Sequence, residues 1–247
     1  MCGRYASSRS PQQLAAHFDA LFDPRANYES LEPNYNVAPT DPIAIVRESH
    51  RDGGLQRVLS LARWGLVPSW AKDVKVGSRM FNARAEEADA KPAFRKAFHQ
   101  RRCLVPADGW YEWATPEGDG RKQPFFMTPR DGDLLAFAGL WEVWHAPGES
   151  APVFSASVLT VPAFGEFATV HDRMPLVLPA DRWAGWLGER ADVKPSQIIA
   201  DITAAPTERD LESELEIRPV GVAVGDVRNN GPQLVKRAEP VQPQKLF

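Results

Sequence analysis

The sequence predicts an α+β fold: a single domain of antiparallel β-sheets curled into a pseudo-barrel, with short peripheral helices. Three observations lead there. Strand-like runs outnumber helical ones, they follow one another in hairpin order, and Gly- or Pro-bearing turns separate them. The 247 residues suffice for one large core, no linker interrupts them, and no internal repeat is visible.

The elements follow in order. Pro11 to Phe22 places Leu14, Phe18 and Leu21 or Phe22 at helix spacing, with Ser10 as N-cap and Pro11 at the first helical position. PNYNVAPTDP is turn chemistry. Ile43 to Arg47 and Leu55 to Leu61 read as strands joined across RDGG. RWGLVPSWAKD follows as a loop bounded by Pro68, and Pro92 to Gln100 as a short basic helix. Cys103 to Trp113, Pro124 to Thr128, Leu134 to Trp144 and Val153 to Val161 are four β-like runs. Asp181 to Leu187 and Ser196 to Ile202 read as short helices and Leu215 to Val220 as a late strand. The domain is expected to span 2–235, with 236–247 a flexible tail.

Composition narrows the function classes. Hydrophobic content of 43% and charged content of 25% describe a globular chain rather than a disordered one. No apolar run is long enough for a membrane helix, and the N-terminus lacks a signal-peptide layout, so a cytoplasmic protein without membrane contact is expected. Two cysteines, Cys2 and Cys103, fit a reducing compartment and show no metal-ligand spacing. Cys103 lies in an apolar run and reads as core, as do Trp64 and Trp110.

Net charge is only -3, which argues against general adhesion to nucleic acid, but its distribution is uneven. Nine basic against four acidic residues lie between Lys72 and Arg102, a local +5. Nine acidic against four basic residues lie between Asp181 and Glu216, a local -5. One face attracting phosphates and another repelling them is one reading; solvated helix faces are the other.

The chain begins MCGRYA. Once Met1 is removed, Cys2 carries a free α-amine and a thiol two carbons apart; otherwise it is a small hydrophobe in a strand. Three further polar residues stand where propensity alone would not put them: Asn82 in MFNARAE, Glu112 in GWYEW and His171 in TVHDRMPLVL. A carboxylate desolvated among aromatics has a raised pKa and can shuttle protons. Strand alternation taken alone instead turns Glu112 out to solvent.

MCGRYA, PNYNVAPT, RWGLVPSWAKD, FNARAE, RRCLVPADGWYEW, FAGLWE, VHDRMPLVL and VGDVRNNGPQL occur in the order and spacing of the SRAP family, the SOS-response-associated peptidases, which the chain resembles from residue 2 to about 235. The resemblance implies the SRAP fold and a protein whose processed N-terminal cysteine captures the ring-opened aldehyde of an abasic site in single-stranded DNA. It makes Cys2 the crosslinking nucleophile and Glu112 the proton-moving carboxylate. His171 becomes the residue that hydrogen-bonds the opened sugar oxygen, and Asn82 the one that holds Cys2 and the sugar in register. Arg4 and Arg84 resemble phosphate ligands, Asn36 and Pro39 belong to the loop lining the site, and Thr160 matches a polar pocket residue. Trp70 matches an aromatic that stacks on a flanking base, while Ala71 stands where bacterial relatives carry a second tryptophan. No cofactor or metal is implied, and a monomer is expected, nucleoid-associated when bound to DNA.

Two other functions fit parts of the chain. N-terminal-nucleophile amidotransferases also begin Met-Cys-Gly, but there sulfur attacks a glutamine amide with the α-amine as base. The Trp loop, the basic segment and GWYEW have no place in that reading. A non-covalent reader of single-stranded or modified DNA would make Cys2 incidental. Proteolysis, which the family name suggests, reduces to removal of Met1; lyase activity at the abasic site is a further implied branch.

Overall fold

A computed structural model of the chain describes residues 2–51, 54–115, 122–146, 148, 151–188, 194–204 and 211–239. The elements run β1 (Tyr5–Ser7), α1 (Pro11–His17), β2 (Leu21–Phe22), β3 (Asn34–Val37), β4 (Pro42–Arg51), β5 (Gly54–Trp64), β6 (Asn82–Arg84), α2 (Pro92–Gln100), β7 (Arg102–Ala107), β8 (Gly109–Ala114), β9 (Gln123–Pro129), β10 (Leu135–His145), β11 (Pro152–Pro162), β12 (Arg173–Pro175), α3 (Ala180–Leu187), α4 (Pro195–Ile202) and β13 (Leu215–Pro219). Single 3-10 turns join several of them.

Strands β11, β10, β7, β4 and β5 are successive neighbours, and β5 returns to pair with β11 at Arg63↔Ser155 and Trp64↔Ala156. Five strands therefore close on themselves, which removes the exposed edges an open sheet would leave. The closing pair is parallel, as are β2 on β5 and β6 on β11, so the pseudo-barrel is mixed rather than purely antiparallel. A second sheet, β13-β9-β8-β1-β3, packs against the barrel. Tyr5 of β1 meets Trp64 edge-on at 5.0 Å and Phe137 at 6.1 Å, and Trp110 of β8 also meets Phe137 at 6.1 Å. One apolar core thus serves both sheets, and Trp64, Trp110 and Cys103 are fully buried in it.

Several elements differ from expectation for identifiable reasons. The helix from Pro11 stops at His17, because Asp19 takes a left-handed φ of 48° and Leu21–Phe22 pair with β5. Its start is as read: Ser10 and Gln13 form a capping box. The run Cys103 to Trp113 is two strands in two sheets. The chain turns at Asp108, whose side chain accepts from Ser8 N–H at 2.6 Å, and Gly109 follows because a Cβ there would lie 2.3 Å from the Met127 carbonyl. Both halves are apolar, so periodicity carried no mark of the break.

The β4–β5 hairpin is longer than its apolar runs; residues 52 and 53 of RDGG lie outside the described residues. The chain remains bonded to β13 as far as Ala238, whose N–H donates to Pro219 O at 2.9 Å, so the first residues of the expected tail are held. Residues 240–247 lie outside the described set.

The basic and acidic segments do not occupy opposite faces where both are described. Phe98 of α2 and Trp186 of α3 pack ring to ring at 6.4 Å, and Arg102 Nε donates to Trp186 O, so the two segments meet over β7. Residues 189–193 and 205–210 of the acidic segment lie outside the described residues. Among the described residues no helix is long and apolar enough to cross a membrane.

Candidate active site

Cys2 enters ahead of β1, which pairs with β3 at Tyr5↔Val37 and with β8 at Tyr5↔Trp110. These pairings set residue 2 at the junction of sheet and barrel, where it is 1% exposed and its thiol donates to Arg4 O at 3.9 Å. Asn82 opens β6, held beside β11 by the pairing Val158↔Asn82. Its Nδ2 donates to Cys2 O at 2.5 Å, while its Oδ1 is buried without a hydrogen-bond partner among the described residues.

Glu112 does not alternate outward. It is 4% exposed, because β8 lies between β1 and β9 with covering on both faces, so alternation does not decide its surroundings. Burial pushes its carboxyl up to about 7, and the negative charge of Asp172 acts in the same direction. The Cys2 thiol is held well above its usual value, first by burial and then by the charge of Glu112. A thiol in that state is not a ready thiolate at neutral pH.

His171 follows the 3-10 turn Gly165–Thr169 and is half-buried. Its Nδ1 accepts from Arg173 N–H at 3.0 Å and lies 2.8 Å from Asp172 Oδ1. Burial lowers its pKa, which favours the neutral ring.

Arg4 Nη1 donates to Asn36 Oδ1 at 2.7 Å and to Val224 O at 2.8 Å, and its guanidinium lies 5.8 Å from the Trp113 ring. Asn36 is buried and donates from Nδ2 to Asp226 O and Asn229 O, each at 2.9 Å. The two residues therefore tie the chain start to the VGDVRNNG segment. Pro39 is half-buried in the turn after β3, beside Thr40 with its positive φ of 85°. Trp70 is 63% exposed, whereas Ala71 is buried and its carbonyl accepts from Trp144 Nε1 at 2.7 Å. Arg84 is exposed and paired with Glu87 at 2.9 Å, and its charge also feels Glu86 and Asp172. Thr160 is 1% exposed with its hydroxyl facing Ala83 O at 3.5 Å, so it stands behind β6.

Cys2, Asn82 and Glu112 thus converge, with His171 linked to them through Asp172, which also acts on Arg84. Arg4 and Asn36 form a neighbouring brace, and Trp70 projects from a separate loop. Asp172 and Arg173, beside His171, and Trp113, beside Arg4, also stand here; they lie inside VHDRMPLVL and GWYEW, but no spacing or composition marks them out. Cavities of about 730 Å³ beside His17 and Trp183, about 420 Å³ beside Asp23 and Phe154, and about 360 Å³ beside Phe164 and Met174 include none of the four converging residues. Among the described residues no cluster of His, Cys, Asp or Glu is arranged to hold a metal ion.

Residues 1–227 match the model of the family described as SOS response associated peptidase (SRAP). The chain is 34% identical over 237 residues to the abasic site processing protein YoqW of Bacillus subtilis, covering 96% of this chain and 99% of that protein. It is 31% identical over 238 residues to the abasic site processing protein YedK of Escherichia coli, again covering 96% and 99%. A crystal structure of a protein from Bacteroides thetaiotaomicron superposes with a TM-score of 0.81 at 20% identity, covering 96% of this chain and all of that one, a likeness of fold alone.

Proposed function

The chain belongs to the SRAP family, and from that premise we propose that it processes abasic sites in single-stranded DNA by crosslinking them to Cys2 after removal of Met1. The observation that carries the reading is the hold of Asn82 Nδ2 on Cys2 O at 2.5 Å, beside a buried Glu112 whose carboxyl titrates near 7.

The chemistry balances without a cofactor or metal. A free α-amine has an ordinary pKa of about 7.7 to 8.0, so a useful fraction is neutral in the cell, whereas a lysine near 10.4 would be almost wholly protonated. The amine nitrogen attacks the C1′ aldehyde of the opened sugar to give a carbinolamine. Protonated Glu112 donates to the leaving hydroxyl, water departs, and a protonated imine remains beside the Glu112 carboxylate. The Cys2 sulfur then adds to the carbon of the protonated imine, its proton passes to the Glu112 carboxylate and restores the acid, and a five-membered thiazolidine closes with its nitrogen neutral. The net loss is one water. A thiol kept neutral by burial and by Glu112 supports nitrogen attacking first, unlike the sulfur-first amidotransferase order.

The His171 ring, whose pKa burial lowers, hydrogen-bonds the sugar oxygen during opening. Asn82 keeps Cys2 and the sugar in register, and its Oδ1, which has no partner among the described residues, is the acceptor for them. Arg4 and Arg84 take the flanking phosphates, with Asn36, Pro39 and Thr160 shaping the surroundings. A phosphate reaching Arg84 displaces Glu87 from an exposed pair that solvent screens. Trp70 stacks on a flanking base for roughly 1–3 kcal/mol. The chain works as a monomer in the cytoplasm, joining the nucleoid when bound. The only peptide bond cut is Met1–Cys2, and lyase activity is a side branch from the imine.

Incubation with a single-stranded oligonucleotide treated with uracil-DNA glycosylase, followed by denaturation, tests this. The wild type should migrate with its DNA. Cys2→Ala should lose that band yet keep salt-sensitive binding through the phosphate contacts; a persistent denaturation-resistant adduct in this variant would refute the mechanism. Cys2→Ser, with an amine but no sulfur, should need borohydride to trap its adduct. Robust ammonia release from glutamine would favour the amidotransferase.

A further inference from the structure

One residue outside the assigned set reaches both sides of the site. The Arg173 side chain is 11% exposed. Its Nη1 and Nη2 donate to the two carboxylate oxygens of Glu86 at 2.5 and 3.0 Å, a two-pronged fork. Nη2 also donates to Thr160 O at 2.6 Å and to Thr160 Oγ1 at 3.3 Å. Thr160 in turn lies against β6 at Ala83, the residue after the Asn82 that holds Cys2 O. The Arg173 backbone N–H meanwhile donates to His171 Nδ1. One arm thus leads through Thr160 and β6 to Cys2, and the other leads directly to His171.

We propose that Arg173, locked by Glu86, is a positioning residue for the crosslinking reaction, fixing the Asn82-held Cys2 relative to His171. The inference rests on the function proposed above. Its physical basis is that a misplacement of about 1 Å lowers a reaction rate by about 100-fold, and that a rigid guanidinium fork is not replaced by the point charge of a lysine. Glu86 is part of the device because it occupies both prongs, which leaves Nη2 one orientation towards Thr160.

The test separates chemistry from binding and from folding. Arg173→Lys should slow single-turnover crosslinking at saturating abasic DNA by about 10-fold or more, the effect of a sub-ångström to ångström displacement. Its affinity for an oligonucleotide carrying tetrahydrofuran, an abasic analogue without an aldehyde, should stay within about twofold of wild type, because the phosphate contacts are untouched. Its Tm should stay within a few degrees. Glu86→Gln, which keeps the shape of the fork but weakens it, should show a smaller slowing in the same direction. A wild-type crosslinking rate in Arg173→Lys would overturn the proposal, as would equal losses of rate and affinity. Should Arg173→Lys fail to fold, Glu86→Gln is judged by the same two readouts. If the wild type itself forms no covalent complex, the function reading falls and this falls with it; if only the variants match wild type, the positioning role alone is lost.

Discussion

Glu112 is buried at 4% exposure, and that burial raises its carboxyl from 4.5 to about 7. A carboxyl whose pKa is higher folded than unfolded favours folding most when protonated. The stability it contributes is full below about pH 4.5, falls as pH rises towards 7, and stays low above. Glu112→Gln should therefore stabilise the protein at pH 8, by on the order of 3 kcal/mol at most, and have little effect near pH 4. Urea melts at the two pH values read this directly, and equal effects at both would contradict it. The same variant should slow crosslinking more than binding. The wild-type crosslinking rate should be bell-shaped in pH, with its maximum between about 7 and 8, since it needs protonated Glu112 and a neutral α-amine together. The identities of Cys2, Asn82, Glu112 and His171 were legible because their residue types are unusual in their settings. The burial of Glu112 was not, since its strand is covered on both faces. Asp172 and Arg173 were in view as letters, but their roles depend on contacts with Glu86, Thr160 and His171 that neighbouring residues do not encode.

Helices and long hairpins were legible as elements. The α2 helix has the expected bounds, Pro92–Gln100, and α3 and α4 each begin one residue earlier than expected. Strands β1, β3, β6 and β12 are three or four residues long, too short for periodicity to register, yet β1 and β6 set the geometry around Cys2. The loop carrying Trp70 depends on another local feature. At Gly65, φ is +124° and an added Cβ would lie 2.3 Å from the Gly77 carbonyl, so the end of β5 and the 3-10 turn Val74–Arg79 approach backbone to backbone. Gly65→Ala adds strain and a clash together. It should destabilise by more than about 2 kcal/mol and weaken DNA binding through displacement of the Trp70 loop. A chemical melt within about 0.5 kcal/mol of wild type would contradict the close approach.

For the whole molecule, hairpin order revealed sheets curling towards a barrel, but not the parallel β5–β11 pair that closes it, because residues 63 and 155 are far apart in sequence. The charge segments were legible as composition; their meeting over β7 was a tertiary fact. On the proposed function, DNA attraction is expected from particular exposed cations such as Arg84 rather than from an opposition of faces. Arg84→Ala should weaken non-covalent binding to intact and abasic strands alike and lower the salt slope by about 0.7, the value for one phosphate contact on a single strand. A variant that loses only abasic binding would contradict that role. The central claim is most directly tested by the intact mass, under denaturing conditions, of the protein incubated with an abasic single-stranded oligonucleotide. The account predicts one species equal to oligonucleotide plus polypeptide lacking Met1, less one water, with the linkage mapping to Cys2. Unmodified DNA beside a chain that retains Met1, or an adduct mapping to a lysine, would contradict it.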